Sequence, residues 1–238
     1  MGIGERVKEV NEKISDSAKR VGRNPEEVKL IAVTKGVRTD RIKEAIDAGI
    51  LSLGESKVQE AIPKITALGK TVSWHFIGHL QRNKVKYVAG EFELIHSVDS
   101  AGLSEEISMR AQKRGIVQDI LLEVNISGEK KKFGVFPHEV IDTVKMITGL
   151  KDISLKGLMT IAPYSANPED SRPCFRRLRE MRDEIIDLSI CTQDFRELSM
   201  GMSGDFEIGI EEGATLVRIG TAIFGHRSIL CEGEKVLI

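Results

Sequence analysis

Cysteine is scarce in this sequence. Cys174, Cys191 and Cys231 are the only three in 238 residues, and no two form a C-x-x-C pair. An odd, scattered set argues against a disulfide framework and against a thiolate zinc site. Charge of one sign is also lacking: 35 basic residues stand against 36 acidic ones, for a formal net charge of −1. Nucleic-acid binders need a basic excess or a clustered patch, so none is expected as a partner. The densest basic stretches are "EKKKF" (129–133) and "RRLREMR" (176–182). The second carries its charges at helical spacing beside Leu178 and Met181, which reads as a solvated helix face. No apolar run approaches the ~18 residues a membrane span needs. The opening "MGIGERVKEVNEKI" is charged and amphipathic, without a signal-peptide core. Met-Gly does not make a myristoylation signal here, because position six is Arg6 rather than Ser or Thr. G-x-G-x-x-G and Walker-type loops are missing, which leaves nucleotide folds unsupported. No Pro/Gly/Ser-rich linker or break in composition divides the chain. The expectation is a soluble cytoplasmic protein, a single domain over 1–238.

What is present is alternation. Ile3, Val7, Val10, Ile14, Ala18 and Val21 recur at helical intervals, predicting a helix over about 2–22 that "GRNPEE" stops. Strand-like and helix-like segments then take turns. The strands are "VKLIAVTK", "ILSLGES", "TVSWHFIGH", "FELIHSVD", "DILLEVNIS", "ISLKGLMTIA", "ELSMGMS" and "LVRIGTAIFG". Between them lie helical stretches such as "TDRIKEAIDAG", with Thr39 or Asp40 as its cap, "NKVKYVAG" and "DFEIGIEEGA". Such interleaving implies parallel strands joined by helical crossovers. Eight units over about 28–226 predict an α/β fold, a closed (β/α)8 TIM barrel with an extra amino-terminal helix.

In such a barrel, chemistry sits at the carboxyl ends of the strands. "VKLIAVTK" ends there on Lys35. "SMGMSGDFEIGIEEG" runs from a strand through Met202, Ser203 and Gly204 into a helix, and "VRIGTAIFG" puts Gly220 and Thr221 just past the eighth strand. Loops after the seventh and eighth strands are common phosphate sites, and N–H groups at a helix start suit an anion. Two ordinary tight turns would also need those glycines. A partly desolvated lysine amine is nucleophilic and forms Schiff bases with aldehydes. Cradle and lysine together suggest pyridoxal phosphate, with Arg218 reaching the pyridine nitrogen; pairing of Arg218 with a rim carboxylate is the alternative. A guanidinium there donates without giving up a proton, so the ring is a weaker electron sink than with a carboxylate. Ser56, His75 and Asn125 are further polar groups at strand ends, beside Glu55, Asp99, Ser127 and Thr160. His75 in "HFIGH" faces either the mouth or a hydrogen-bonded interior position. With His79 it makes an i, i+4 pair, but on a strand and turn, so no metal site is expected.

"AVTK", "LGESKVQEA", "WHFIGHLQRNK", "VNISGEKKKFG", "GLMTIAP" and "LSMGMSGDFEIGIEEGATLVRIGTAIFG" together resemble the pyridoxal phosphate homeostasis protein family, single-domain relatives of the barrel half of alanine racemase. The resemblance covers nearly the whole chain in order. It implies that Lys35 carries the cofactor as a Schiff base, that Ser203, Gly220 and Thr221 hold its phosphate, and that Arg218 faces the ring nitrogen. Lys132 matches a lysine common in that family. Two positions depart from it: Ser56 stands where asparagine is common, and Val37 where a second lysine is often found.

Alanine racemases continue into a β-domain that supplies a catalytic tyrosine, whereas only a short tail (229–238) follows "IFGHRS" here, and the tyrosines are Tyr87 and Tyr164. The expectation is therefore a pyridoxal 5'-phosphate-binding homeostasis protein with little or no turnover. It is expected to be a monomer that serves apo enzymes as recipients. Two alternatives are a PLP-dependent racemase and a barrel enzyme on a phosphorylated sugar.

Overall fold

Alternate residues along a short strand face opposite sides, and here that divides each strand between a lumen and a helix-covered wall. The strands are β1 (Lys29–Val33), β2 (Ser52–Glu55), β3 (Ser73–Phe76), β4 (Leu94–Val98), β5 (Gln118–Glu123), β6 (Ile153–Met159), β7 (Glu197–Met202) and β8 (Leu216–Ile219). In the computed structural model they pair in chain order, all parallel, and β8 closes onto β1 with Ala32 opposite Ile219. The structure describes residues 1–129 and 131–225; Cys231 and the tail beyond it lie outside the described residues.

Helix α1 (Ile3–Arg20) precedes the barrel. The others are α2 (Thr39–Asp47), α3 (Val58–Leu68), α4 (Ala101–Arg114), α5 (Val140–Thr148), α6 (Arg172–Asp187), α7 (Phe206–Glu211) and α8 (Thr221–Phe224). The β3–β4 crossover uses a 3-10 segment, Arg82–Tyr87, where a helix was expected from "NKVKYVAG". Ile3, Val7, Val10, Ile14 and Ala18 are buried, and α1 lies against α2, α7 and α8. This apolar stripe seals the wall next to the β8–β1 seam.

Outward residues such as Ala32, Leu53, Trp74, Ile95, Leu122, Leu198, Val217 and Ile219 join the helices in one large apolar core. The lumen holds a smaller set, Ile31, Leu94, Leu121, Met159 and Leu216. On the same inward register come polar residues, all buried: His75, His96, Glu123, Ser199 and Arg218. An all-aliphatic lumen would suffice for stability, so these groups mark the part of the barrel with another task.

Three local expectations need correction. "LVRIGTAIFG" is not one strand: pairing stops at Ile219 and Thr221–Phe224 form a helical turn, with Phe224 N–H bonded back to Gly220 O. Beyond Ile219 the backbone donors of Gly220 and Ala222 point to a side chain, leaving no ladder to continue. Helix α2 begins at Thr39 with Arg38 as its cap residue, so neither Thr39 nor Asp40 caps it. The "RRLREMR" face is also more than solvated. Arg172, Arg176 and Arg179 all reach the carboxylate of Glu212, whose side chain is 4% exposed, and so bind α6 to the end of α7.

Candidate cofactor site

Strand β1 leaves its ladder at Val33, and two further residues bring Lys35 to the mouth. Thr34 is fully buried and fixed twice. Its N–H bonds Gly54 O at 3.0 Å, and its hydroxyl bonds Glu55 Oε1 at 2.6 Å. Lys35 itself is half-buried and makes no ion pair among the described residues. Its amine therefore sits on a rigid stem without a partner competing for it.

Two strands away around the barrel, β7 ends in a tight unit with α7. Gly201 has φ of 90°, and a Cβ there would lie 2.8 Å from the Phe206 Cα. Only glycine lets the strand turn this sharply while the helix packs on it. The turn delivers Ser203, whose Oγ accepts from the N–H of Gly220 at 3.2 Å and of Ala222 at 3.3 Å. One hydroxyl and two backbone donors from the start of α8 thus converge. Gly220 also lies against the end of β1, since a Cβ there would be 3.4 Å from Val33 Cβ. The donor cluster and the Lys35 stem are neighbours across the β8–β1 seam. Gly204 faces open space, and Met202 is 38% exposed at the rim.

Arg218, 4% exposed, donates from Nη1 to Ser199 Oγ at 2.6 Å and from Nη2 to Thr160 O at 2.9 Å. Among the described residues no carboxylate is hydrogen-bonded to it, in place of the rim pairing that was the alternative. Burial lowers its pKa to about 10, so it remains a cation at neutral pH. Glu123 ends β5 on the same inward register. Burial, with Asp99 nearby, pushes its carboxyl up to about 7, while Arg218 pulls the other way. Burial likewise raises Asp205, whose carboxylate accepts the Met202 N–H at 2.6 Å.

Two expected site residues have other tasks. Asn125 spends its whole amide on its own loop: Nδ2 donates to Glu129 O and Lys132 O, and Oδ1 accepts from Ser127 Oγ and Gly128 N. With both donors and both lone pairs used, it shapes the loop and has nothing left for a ligand. His75 takes the interior alternative. Its Nδ1 lies 2.9 Å from His96 Nε2, and it borders the end of the lumen that holds Lys29 and Glu93, away from the mouth. His79 diverges from it, pairing with Asp99 at 3.2 Å and stacking on Phe133 with ring centroids 3.6 Å apart. Lys132 pairs with Glu129 at 2.6 Å beside a cavity of about 170 Å³ lined by Glu123, Asn125 and Phe133. Ser56 lies where its backbone closely meets Gly78, and Val37 packs half-buried on the core.

The sequence reading did not single out Lys64, His96, Glu123 or Ser199. His96, Glu123 and Ser199 lie in apolar strand runs; the two-residue alternation from Leu94 and Leu121 marks the first two as inward, and pairing with Leu216 marks Ser199.

An amine stem, a hydroxyl–backbone donor cluster and a buried guanidinium on three adjacent strands of a parallel barrel define a class, and the comparisons agree on it. The family described as "Alanine racemase, N-terminal domain" matches residues 9–228. The chain is 47% identical over 229 residues to the pyridoxal phosphate homeostasis protein of Aquifex aeolicus, covering 95% of this chain and 99% of that one. The solved structure of PipY of Synechococcus elongatus PCC7942 with PLP bound is 33% identical, with a TM-score of 0.82, covering 94% of this chain and 100% of that chain. Alanine racemase from Corynebacterium glutamicum, at 13% identity and a TM-score of 0.69, shares the fold and is covered over 62% of its length. This chain belongs to the pyridoxal phosphate homeostasis protein family.

Proposed function

We propose that this protein binds pyridoxal 5'-phosphate at the carboxyl-terminal mouth of the barrel and holds it covalently on Lys35 for intracellular homeostasis, with little or no turnover. The observation that supports this most is the placement of three groups on β7, β8 and β1. These are the Ser203–Gly220–Ala222 donor cluster, Arg218 hydrogen-bonded to neutral groups, and Lys35 on its fixed stem. The residues fit the group: donors suit a phosphate dianion, a guanidinium suits an unprotonated ring nitrogen, and an unpaired amine suits an aldehyde. When bound, pyridoxal phosphate supplies that aldehyde and an electron-withdrawing ring. Ser203, Gly220 and Thr221 orient the phosphate end, with Met202 and Gly204 on the rim. Arg218 donates at the ring, and Lys35 carries the load.

Tyr87 and Tyr164, the only tyrosine hydroxyls, are 44% and 98% exposed, so neither reaches the lumen as a second acid or base. This supports carrying over racemisation. As part of the same proposal, the protein is cytoplasmic and monomeric and delivers its cofactor to apo enzymes. Among the described residues, no helix is long and apolar enough to cross a membrane.

Purified protein mixed with pyridoxal phosphate is expected to gain a visible absorption band. After borohydride reduction, the added mass should map to Lys35, and Lys35→Ala should lack both. A protein that stays colourless overturns the reading. Rapid α-proton exchange of amino acids in D2O would replace the carrier by a racemase.

A further inference from the structure

Arg218 is held from below by neutral groups, and hydrogen counting gives their order a direction. Ser199 Oγ has two partners, Arg218 Nη1 at 2.6 Å and His96 Nδ1 at 2.8 Å. A guanidinium has no acceptor, and a serine hydroxyl has one hydrogen. Ser199 Oγ has no other partner among the described residues, so the arrangement that leaves its hydrogen bonded sends it to His96 Nδ1. His96 then carries its own hydrogen on Nε2, 2.9 Å from His75 Nδ1, which accepts it. His75 is left with its hydrogen on Nε2, a buried atom without a hydrogen-bond partner among the described residues. The chain runs across β8, β7, β4 and β3, and ends where His75 borders a cavity of about 190 Å³ lined by Lys29, Glu93 and Asp119.

We propose that His75, His96 and Ser199 are positioning residues for Arg218, forming a hydrogen-bond chain of one fixed direction that presents the guanidinium to the cofactor ring as a permanent donor. The role rests on the cofactor reading above; the direction of the chain does not. Direction and neutrality are one condition. A protonated His96 would donate from Nδ1 to Ser199, stranding the serine hydrogen and adding a second cation beside Arg218. The surroundings enforce neutrality. Burial lowers His75 to about 4, with Glu93 opposing and Lys29 assisting. Burial also holds His96 well below its ordinary range, with the cations Arg218 and Lys29 assisting. The charges of Glu123 and Asp205 act on Arg218 in the opposite sense to burial and favour its cation.

Cofactor-free protein labelled with 15N-histidine tests the direction. His75 and His96 should both show the neutral Nε2–H tautomer from pH ~8 down to about 5, below the usual imidazole midpoint. An Nδ1–H pattern at either ring, or protonation near ~6.5, overturns it. The positioning role is tested on loaded protein with His96→Leu and His96→Asn, since the asparagine oxygen replaces Nδ1 as acceptor. His96→Leu should shift the visible band and weaken pyridoxal phosphate binding by about three- to tenfold, the worth of one lost hydrogen bond. His96→Asn should keep the wild-type band and bind within about twofold. Identical bands in all three proteins, or equal shifts in both variants, overturn positioning. A wild-type protein that takes up no pyridoxal phosphate overturns the function reading and this role with it, while the tautomers still decide the direction.

Discussion

The ammonium of Lys64 lies 2.6 Å from Glu55 Oε1 and 2.7 Å from the carbonyl of Thr34, and all three residues are buried. Lys64 comes from α3, Glu55 ends β2, and Thr34 follows β1. One cation thus ties together the two strand ends from which Lys35 and Ser56 depart. Charge is buried here to fix the stem of Lys35.

Lys64→Met should be strongly destabilising, because it leaves the Glu55 carboxylate buried without its cation. The expected loss is roughly 3–5 kcal/mol in urea unfolding at neutral pH. Adding Glu55→Gln should recover much of it, since two uncharged groups need no partner of opposite sign. A single variant as stable as wild type would show the pair to be dispensable.

Ser203→Ala removes the hydroxyl from the donor cluster while leaving the two backbone N–H groups in place. Pyridoxal phosphate should bind more weakly by roughly 1–3 kcal/mol, measured by equilibrium titration of the visible band. Unchanged affinity would take Ser203 out of the phosphate site.

Glu123 should give the protein a stability slope near neutrality. Its carboxyl has an ordinary value of 4.5 and is raised to about 7 when folded. Between those values the native state keeps a proton that the unfolded chain has lost. Its contribution is full below pH 4.5 and is lost as the pH rises through about 7. His75 acts in the opposite sense, its contribution present above 6.5 and lost as pH falls towards about 4. Comparison with Glu123→Gln isolates the carboxyl. The variant should gain roughly 1–3 kcal/mol on wild type between acid and mildly alkaline pH. A gap that stays constant with pH would rule out this titration.

Asn125→Ala should loosen the loop that follows β5, since four hydrogen bonds converge on that amide. Limited proteolysis near Lys131 and Lys132 should speed up, while cofactor affinity changes less than in Ser203→Ala. The reverse ranking would return Asn125 to the ligand site.

Much of the barrel was readable because strand and helix periods differ and glycines punctuate them, so eight alternations emerge from pattern alone. The strand ends were readable for the same reason, and with them Lys35, Ser203, Arg218 and Gly220. Side-chain allegiance was not. Asn125 and His75 stand in strand-end segments exactly as a ligand contact would, yet one is consumed by its loop and the other faces the far end of the lumen. Lys64 sits in a helix, where an exposed lysine is the ordinary expectation.

The sequence alone determined the order of elements, the parallel alternation they imply, and the residue types carried to the mouth, because these follow from local periodicity and turn chemistry. Only the tertiary structure decided which polar groups meet. Ser203 reaches the backbone of α8, Lys64 reaches Glu55, and Arg218 leans on Ser199 and the two buried histidines. Ring closure brings those partners together from distant parts of the chain, and a hydrogen bond depends on ångström-scale geometry that no spacing along the sequence encodes.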